Sequence, residues 1–361
     1  MNKSLFLLFV LLVFSAMLAA CGASPQATVT APAGDGQPTS ESSGPSEPDA
    51  EAGTLTIYSG RSENLVGPII EQFADATGIH VQVRYGSTAE MAAAILEEGA
   101  NSPADIFFAQ DPGGLGAVAE AGLLAQLPAQ ILGRVDPAFS SPEGVWVGIS
   151  GRARVIVYNT EVLSEDQLPD DLAGFTDAQW SGRLGIPPTN GSFQTMVTAM
   201  RSLWGEEETL AWLEGIVAND PVYYENNASV VAGVAAGEVD AGFVNHYYLY
   251  RFLAEEGESF PARNYYLPSG GPGSLVMVAG AGQLASSQNP DSAQRFLEFM
   301  LSTVAQQYFA SQTFEYPLVE GVVTSALLIP LAELNTPSIS LADLADLQGT
   351  VEMLQAVGML P

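Results

Sequence analysis

The 361-residue chain carries 41 acidic residues against 11 basic ones, a formal net charge of −30 at pH 7. So acidic a chain lacks the basic face that a phosphate backbone requires, which excludes nucleic acid as a partner. With one cysteine and two histidines, it can form no intrachain disulfide and has little material for a Ser-His-Asp or Cys-His catalytic centre.

The first 21 residues read MNKSLFLLFVLLVFSAMLAAC. Lys3 is followed by an uncharged, mostly apolar run from Ser4 to Ala20, which predicts a secretory signal. As a membrane anchor the run is short for a full span. Leu18-Ala19-Ala20-Cys21-Gly22 resembles the bacterial lipoprotein box, which implies that Cys21 is lipidated and becomes the N-terminus. Removal of the signal takes away the only lysine and leaves ten arginines against 41 acids, a net of −31. Residues 22–53 are Ser, Pro, Gly, Ala, Thr, Asp and Glu with almost no large apolar side chain. They cannot bury enough surface to offset the entropy of ordering, so a flexible tether is expected.

From Thr54 onward the pattern is alternating strand and helix. Leu55–Tyr58 predicts a strand ending at Ser59-Gly60. Leu65–Thr77 has Val66, Ile69, Ile70 and Phe73 at helical spacing, closed by Gly78. Ile79–Val83 predicts a second strand, Ala89–Glu98 a helix closed by Gly99, and Ala104–Phe108 a third, doubly buried strand. This βαβαβ order predicts an α/β fold with a parallel sheet covered on both faces. Further on, Trp146–Tyr158 reads as a strand interrupted at Ser150-Gly151-Arg152, and Leu184–Ile186 as a strand before a Pro-Pro-Thr-Asn-Gly loop. Ser229–Gly237 predicts a short helix, Asp240–Val244 and Ser274–Ala279 strands, and Ser292–Phe309 one long amphipathic helix. The body exceeds one ordinary core, so two lobes are expected. Beyond the signal no apolar run is long enough to span a bilayer.

Ligands of such sheets bind beyond the carboxyl ends of the strands. That rule gathers Ser59 to Glu63, then Gln110 and Asp111, Arg152 and Arg154, Asn190 to Ser192, and Asn245 to Tyr248. Acid pairs such as Glu97-Glu98 and Glu255-Glu256 precede glycine and read as solvated helix ends, so an enzyme is not expected.

In order along the chain, "LTIYSGRSE" (55–63), "EEGANSPADIFFAQD" (97–111), "ISGRARVIVYN" (149–159), "NGSF" (190–193), "GEVDAGFVNHYY" (237–248), "GPGSLV" (271–276) and "EYPL" (315–318) resemble the ferric-iron substrate-binding proteins of bacterial ABC transporters. The resemblance implies the two-lobed type II periplasmic binding protein fold, with mostly parallel sheets and a ligand cleft between lobes. It implies one lobe of 54–154 plus about 278–328 and another of 155–277 plus about 329–361. It also implies an extracytoplasmic, lipid-anchored monomer that delivers ferric iron to an ABC permease.

The family's iron site centres on a tandem tyrosine pair at Tyr247 and Tyr248. The chemistry agrees: Fe³⁺ prefers anionic oxygen, and a bound cation stabilises a phenolate whose ordinary pKa is about 10. The other tandem pairs, Tyr223-Tyr224 and Tyr265-Tyr266, read as packing, as do Tyr250 and His246, and His80 reads as surface. The chain departs from the family at two ligand positions. Ser62 stands where a histidine is usual, followed by Glu63, and Gln110 where a glutamate is usual, followed by Asp111. A third tyrosine used by some members is Phe193 here. Glu63 or Asp111 is then the candidate to complete the shell. The resemblance further implies a carbonate or phosphate anion held by Asn190, Gly191, Ser192, Asn227 and Asn245, with Arg152 and Arg154 supplying countercharge. The competing reading of the same fold is an oxyanion alone or a small organic acid.

Overall fold

The computed structural model describes residues 53–361. The signal 1–21, Cys21 and nearly all of the 22–53 tether lie outside the described residues. Among the described residues no helix is long and apolar enough to cross a membrane.

The chain opens β1 (Thr54–Ser59), α1 (Glu63–Thr77), β2 (His80–Tyr85), α2 (Thr88–Glu98), β3 (Ile106–Ala109), α3 (Pro112–Glu120) and a single helical turn, α4 (Ala129–Leu132). β1 pairs in parallel with both β2 and β3, as the βαβαβ pattern predicts. Local sequence explains the helices between them. α1 buries Leu65, Val66, Ile69, Ile70 and Phe73 on one face and ends where Gly78, at φ 72°, donates its N–H to Ala74 O. Ser87 and Glu90 form a capping box at the start of α2. Phe73 is fully buried edge-on to Phe296, centroids 5.3 Å apart. Cutting it to alanine is expected to cost about 3–5 kcal/mol.

The middle of the chain is β4 (Val147–Asn159), β5 (Leu184–Ile186), α5 (Gly191–Trp204), α6 (Glu206–Ala218), β6 (Val222–Tyr223), α7 (Asn227–Ala236), β7 (Ala241–Asn245), α8 (Tyr247–Glu256) and β8 (Ala262–Tyr265). Then follow β9 (Val276–Gln283), α9 (Pro290–Met300), α10 (Thr303–Gln312), β10 (Tyr316–Pro317) and α11 (Leu347–Ala356). The strand path is β2-β1-β3-β9-β4-β7-β5-β6, with β8 and β10 also on β4.

β4 joins the two halves of that path. Its 13 residues are all buried. Val147–Ala153 pairs antiparallel with β9, and Arg154–Tyr158 pairs antiparallel with β7. The outer strands of each half, β2-β1-β3 and β6-β5-β7, are parallel. Two lobes result, each an α/β layer, and Arg152 and Arg154 flank the handover between them. The main core cluster draws on Leu55 to Ile149 and on Leu275 to Leu318. Two further clusters draw on Val155 to Leu267, with Leu354 and Met359 from the tail. Leu341 and Leu344 of the tail join the first cluster.

Two expectations from sequence are corrected. The Ser150-Gly151-Arg152 stretch does not interrupt its strand. Gly151 lacks a side chain where a Cβ would lie 3.2 Å from Tyr316 and Leu318, so β10 approaches and pairs there. Beyond a register shift between Gly148 and Ser150, the ladder continues. The long helix expected over 292–309 is two helices, α9 and α10. Ser302 leaves the helix between them and accepts from Ala305 N at 3.3 Å as the cap of α10. A serine hydroxyl offers the backbone that alternative.

Candidate functional site

β7 runs directly into α8, and the junction places Tyr247 and Tyr248 at the first two positions of the helix. Unpaired amide N–H groups at that end favour negative charge beside them. His246 fixes the junction. Its Nδ1 accepts from Ala153 N at 3.1 Å, its Nε2 donates to Phe314 O at 2.8 Å, and its ring stacks on Tyr316 with centroids 4.8 Å apart. Burial holds the imidazole neutral, with its pKa pulled down to about 3. The structural role expected for His246 is therefore what its contacts provide. His80 is exposed, as expected, and Tyr224 donates to Glu238 at 3.0 Å.

The two phenol rings stack at 4.2 Å and 27°. Tyr248 is half-buried, whereas Tyr247 is fully buried and belongs to the first lobe's core cluster although it stands on a second-lobe helix. Its hydroxyl has no hydrogen-bond partner. A buried tyrosine hydroxyl ordinarily finds one. Burial pushes this phenol well above its usual pKa, Tyr248 adds to the rise, and Arg61 opposes it.

Beside the pair lies one continuous polar network. Arg154 Nη1 donates to Asn245 Oδ1 at 3.1 Å, and Asn245 Nδ2 donates to Ser192 Oγ at 3.0 Å. Arg152 Nη1 reaches the same Oγ at 3.4 Å. Ser192 N and Asn227 Nδ2 both donate to Asn190 Oδ1 at 3.1 Å. Asn190 is the N-cap of α5, so this network sits at a helix N-terminus suited to an anion. Arg152 Nε, Arg154 Nε and Nη2, and Asn227 Oδ1 are buried without partners. Burial and then Arg152 push Arg154 down to about 9, which leaves it charged at neutral pH.

The other candidates fall on the facing wall. Asp111 is buried and caps α3. Its Oδ2 lies 3.0 Å from where a Cβ on Gly191 would be, so glycine is what lets the second lobe approach it. Burial raises the Asp111 pKa and Arg152 opposes the rise. Gln110 is half-buried, and its backbone N–H donates to Thr88 Oγ1 at 3.0 Å. Ser62 and Glu63 are exposed at the start of α1. Ser62, Gln110, Asp111, Asn190 and Gly191 line a cleft of about 910 Å³ whose lining does not include the tyrosines. The structure thus joins Asn190, Ser192, Asn227, Asn245, Arg152 and Arg154, and places Asp111 against them. Ser62 lines the cleft outside this network, and Glu63 is exposed and not part of the lining. Among the described residues no three or more His, Cys, Asp or Glu side chains cluster to hold a metal.

Residues 68–334 match the model of the bacterial extracellular solute-binding proteins. The chain belongs to that family. It is 35% identical to the Fe(3+)-binding periplasmic protein of Serratia marcescens, over 85% of this chain and 90% of the relative. Iron-bound HitA from Pseudomonas aeruginosa superposes with a TM-score of 0.81 at 40% identity, covering 85% of this chain and 99% of HitA. A Trichodesmium protein in complex with iron and citrate superposes at 0.74 with 28% identity, covering 85% and 99%. These likenesses span both lobes.

The site also holds two charged residues to which the sequence assigned no role, although Arg61 lies among the loop residues after the first strand and Glu315 opens the EYPL stretch. Arg61 and Glu315 are fully buried and paired at 2.8 Å. Both act electrostatically on Tyr247. They are 254 positions apart, and no spacing in the sequence signals such a pair. The three buried guanidiniums of Arg61, Arg152 and Arg154 all interact electrostatically with Tyr247.

Proposed function

We propose that this protein is an extracytoplasmic receptor that captures ferric iron, together with a small anion, and delivers it to an ABC permease. The observation that carries this reading is the Tyr247 hydroxyl, buried and partnerless beside a second phenol and three buried arginines. A partnerless buried hydroxyl is costly. It becomes a favourable group once a hard cation converts it to a phenolate. The relatives named for ferric iron support the same cargo.

Charge explains the anion. Three guanidiniums and one Fe³⁺ bring six positive charges, and two phenolates with two carboxylates bring at most four negative ones, so the loaded pocket carries an excess of at least two. A buried excess of that size is unfavourable, and a dianion such as carbonate or hydrogen phosphate removes it. The partnerless N–H groups of Arg152 and Arg154, with Asn227, Asn245 and the Asn190–Ser192 helix start, are its binding set.

Ferric titration of the mature protein tests the reading. A visible phenolate-to-iron band should saturate at one iron per chain and vanish in the Tyr247→Phe/Tyr248→Phe double variant. A protein that stays colourless yet tightens on phosphate would instead bind an oxyanion or organic acid alone. We further infer that lobes 54–154 plus 278–328 and 155–277 plus 329–361 close about β4 and β9 on the cargo. X-ray scattering should show a smaller radius with iron, and an unchanged radius would refute closure. Lipidation at Cys21 tethers the receptor in this account, so Cys21→Ala should move the protein from the membrane to the soluble fraction.

A further inference from the structure

The C-terminal segment lies across both lobes. Its helical turn Leu341–Leu344 packs on α3 of the first lobe and on α5 of the second, and α11 packs along α5. Leu341 and Leu344 are buried in the first lobe's core, while Leu354 and Met359 are buried in the second lobe's core with Met196 and Met200 of α5. Hydrogen bonds fix the segment to α5. Thr350 and Thr198 share a buried one of 2.8 Å, and Arg201 donates to Asp346 O at 3.0 Å, to Asp346 Oδ2 at 2.8 Å and to Thr350 Oγ1 at 3.1 Å. On α3 the contact is apolar and close: a Cβ on Gly116 would stand 2.9 Å from Ala345 Cβ.

α3 and α5 are helices that start at the site. Asp111 caps α3, Asn190 caps α5, and Asp111 Oδ2 lies 3.0 Å from where a Cβ on Gly191 would be. Each helix moves as a rod, so what fixes their flanks also fixes the distance between their caps. Ala345, Asp346, Leu347, Gln348 and Val351 line the cleft beside those caps. Opening the lobes about β4 and β9 carries α3 away from α5, and the 341–345 stretch then has to leave one of them. Its hydrogen bonds hold the segment to α5, so the apolar contact with α3 is the one that parts. Burying that surface is favourable, and a contact made in only one state shifts the equilibrium toward that state.

We propose that residues 341–350 are a clasp: anchored on α5, they seat on α3 and hold the cleft at its closed width, so that Asp111 and the Asn190 helix start face the cargo together. Gly116 and Arg201 are positioning residues at its two ends, and neither lines the cleft. The clasp rests on the lobe closure inferred above and not on the identity of the cargo.

The test is a reversible crosslink. In a Cys21→Ala background, Gly116→Cys/Ala345→Cys supplies the only two thiols of the chain. Disulfide Cβ atoms lie about 3.5–4.5 Å apart, within a small shift of the contact seen. X-ray scattering of the iron-free protein, oxidised and then reduced with a phosphine, reads the clasp without cargo. The oxidised form should have the smaller radius that the wild type reaches with ferric nitrilotriacetate, and reduction should restore the larger one. Arg201→Gln frees the α5 end. It should weaken ferric binding about fivefold or more with the visible band unmoved, whereas a merely structural arginine would lower the melting temperature alone. A crosslink that leaves the radius unchanged, or a pair that does not crosslink, overturns the clasp. So does an Arg201→Gln protein that binds ferric iron as tightly as the wild type. A wild type whose radius is the same with and without cargo overturns the clasp and the closure inference together.

Discussion

Replacing Tyr247 with phenylalanine should separate stability from function in one step. The ring is fully buried and its hydroxyl has no partner. Leaving a buried hydroxyl unsatisfied costs about 1–3 kcal/mol, and deleting both the group and its need is near neutral or stabilising. Removing one oxygen from a packed ring costs little by comparison, so Tyr247→Phe should gain about 1 kcal/mol. For a domain of this size that is a rise in melting temperature of about 2 °C. Tyr308→Phe is the control. Its hydroxyl donates to Leu65 O at 2.8 Å, and its loss should cost about 0.5–1.5 kcal/mol. Calorimetry on the iron-free proteins gives the first half of the comparison. Repeating the scans with ferric iron at 100 times the dissociation constant gives the second. The wild type should gain about 2.7 kcal/mol by mass action, and Tyr247→Phe should lose most of that gain. Two results would refute the reasoning. An iron-free variant less stable than the wild type by more than about 1 kcal/mol would mean that the hydroxyl is bonded in the native state. Undiminished stabilisation by iron would mean that it is not a ligand.

Two other outcomes follow from the same geometry. Phenols are neutral at pH 7, and burial holds the Tyr247 phenol well above its ordinary pKa. Ferric binding must therefore release two phenol protons. Affinity should fall about 100-fold for each unit the pH drops, and a pH-stat titration without added anion should count two protons per iron; one proton would indicate a single phenolate. Gly242, in β7 between β4 and β5, has no room for a side chain: a Cβ there would lie 2.3 Å from Val230 Cγ1 and 2.9 Å from Gly185 O. Gly242→Ala should cost about 1–3 kcal/mol through overpacking, read as a lower denaturant midpoint, and an unchanged midpoint would show that the sheet yields.

What the sequence disclosed follows the range of the interactions. The β1–α1–β2–α2–β3 unit was legible because each element carries its own period, cap or glycine stop. The junction at Tyr247 and Tyr248 was legible for the same reason: a buried strand ends and a helix begins within one short motif. Asn190 and Ser192 were nameable as residues beyond a strand end, whereas Arg154 and Asn245 stand within β4 and β7 and pair with each other there, and the hydrogen bonds that join all four were not legible. Features set by distant partners were hidden. β4 reads as broken until β10 is seen to pair at Gly151. The α9–α10 break turns on one serine choosing a cap over a helix interior. The Arg61–Glu315 pair joins opposite ends of the body, and its two members look like an ordinary loop cation and an ordinary acid. Ser62 and Gln110 drew notice because they depart from the family's residues. Their neighbour Arg61 is the fully buried charge at that turn, whereas Ser62 and Glu63 are exposed.

The account's central claim is that Tyr247 and Tyr248 bind the ion as phenolates. Resonance Raman scattering excited within the visible band of the iron-loaded protein tests it most directly. The account predicts strong tyrosinate ring modes in the wild type, weakened in Tyr247→Phe and in Tyr248→Phe and absent in the double variant. An iron-loaded wild type that lacks those modes, or a double variant that keeps them, would contradict it.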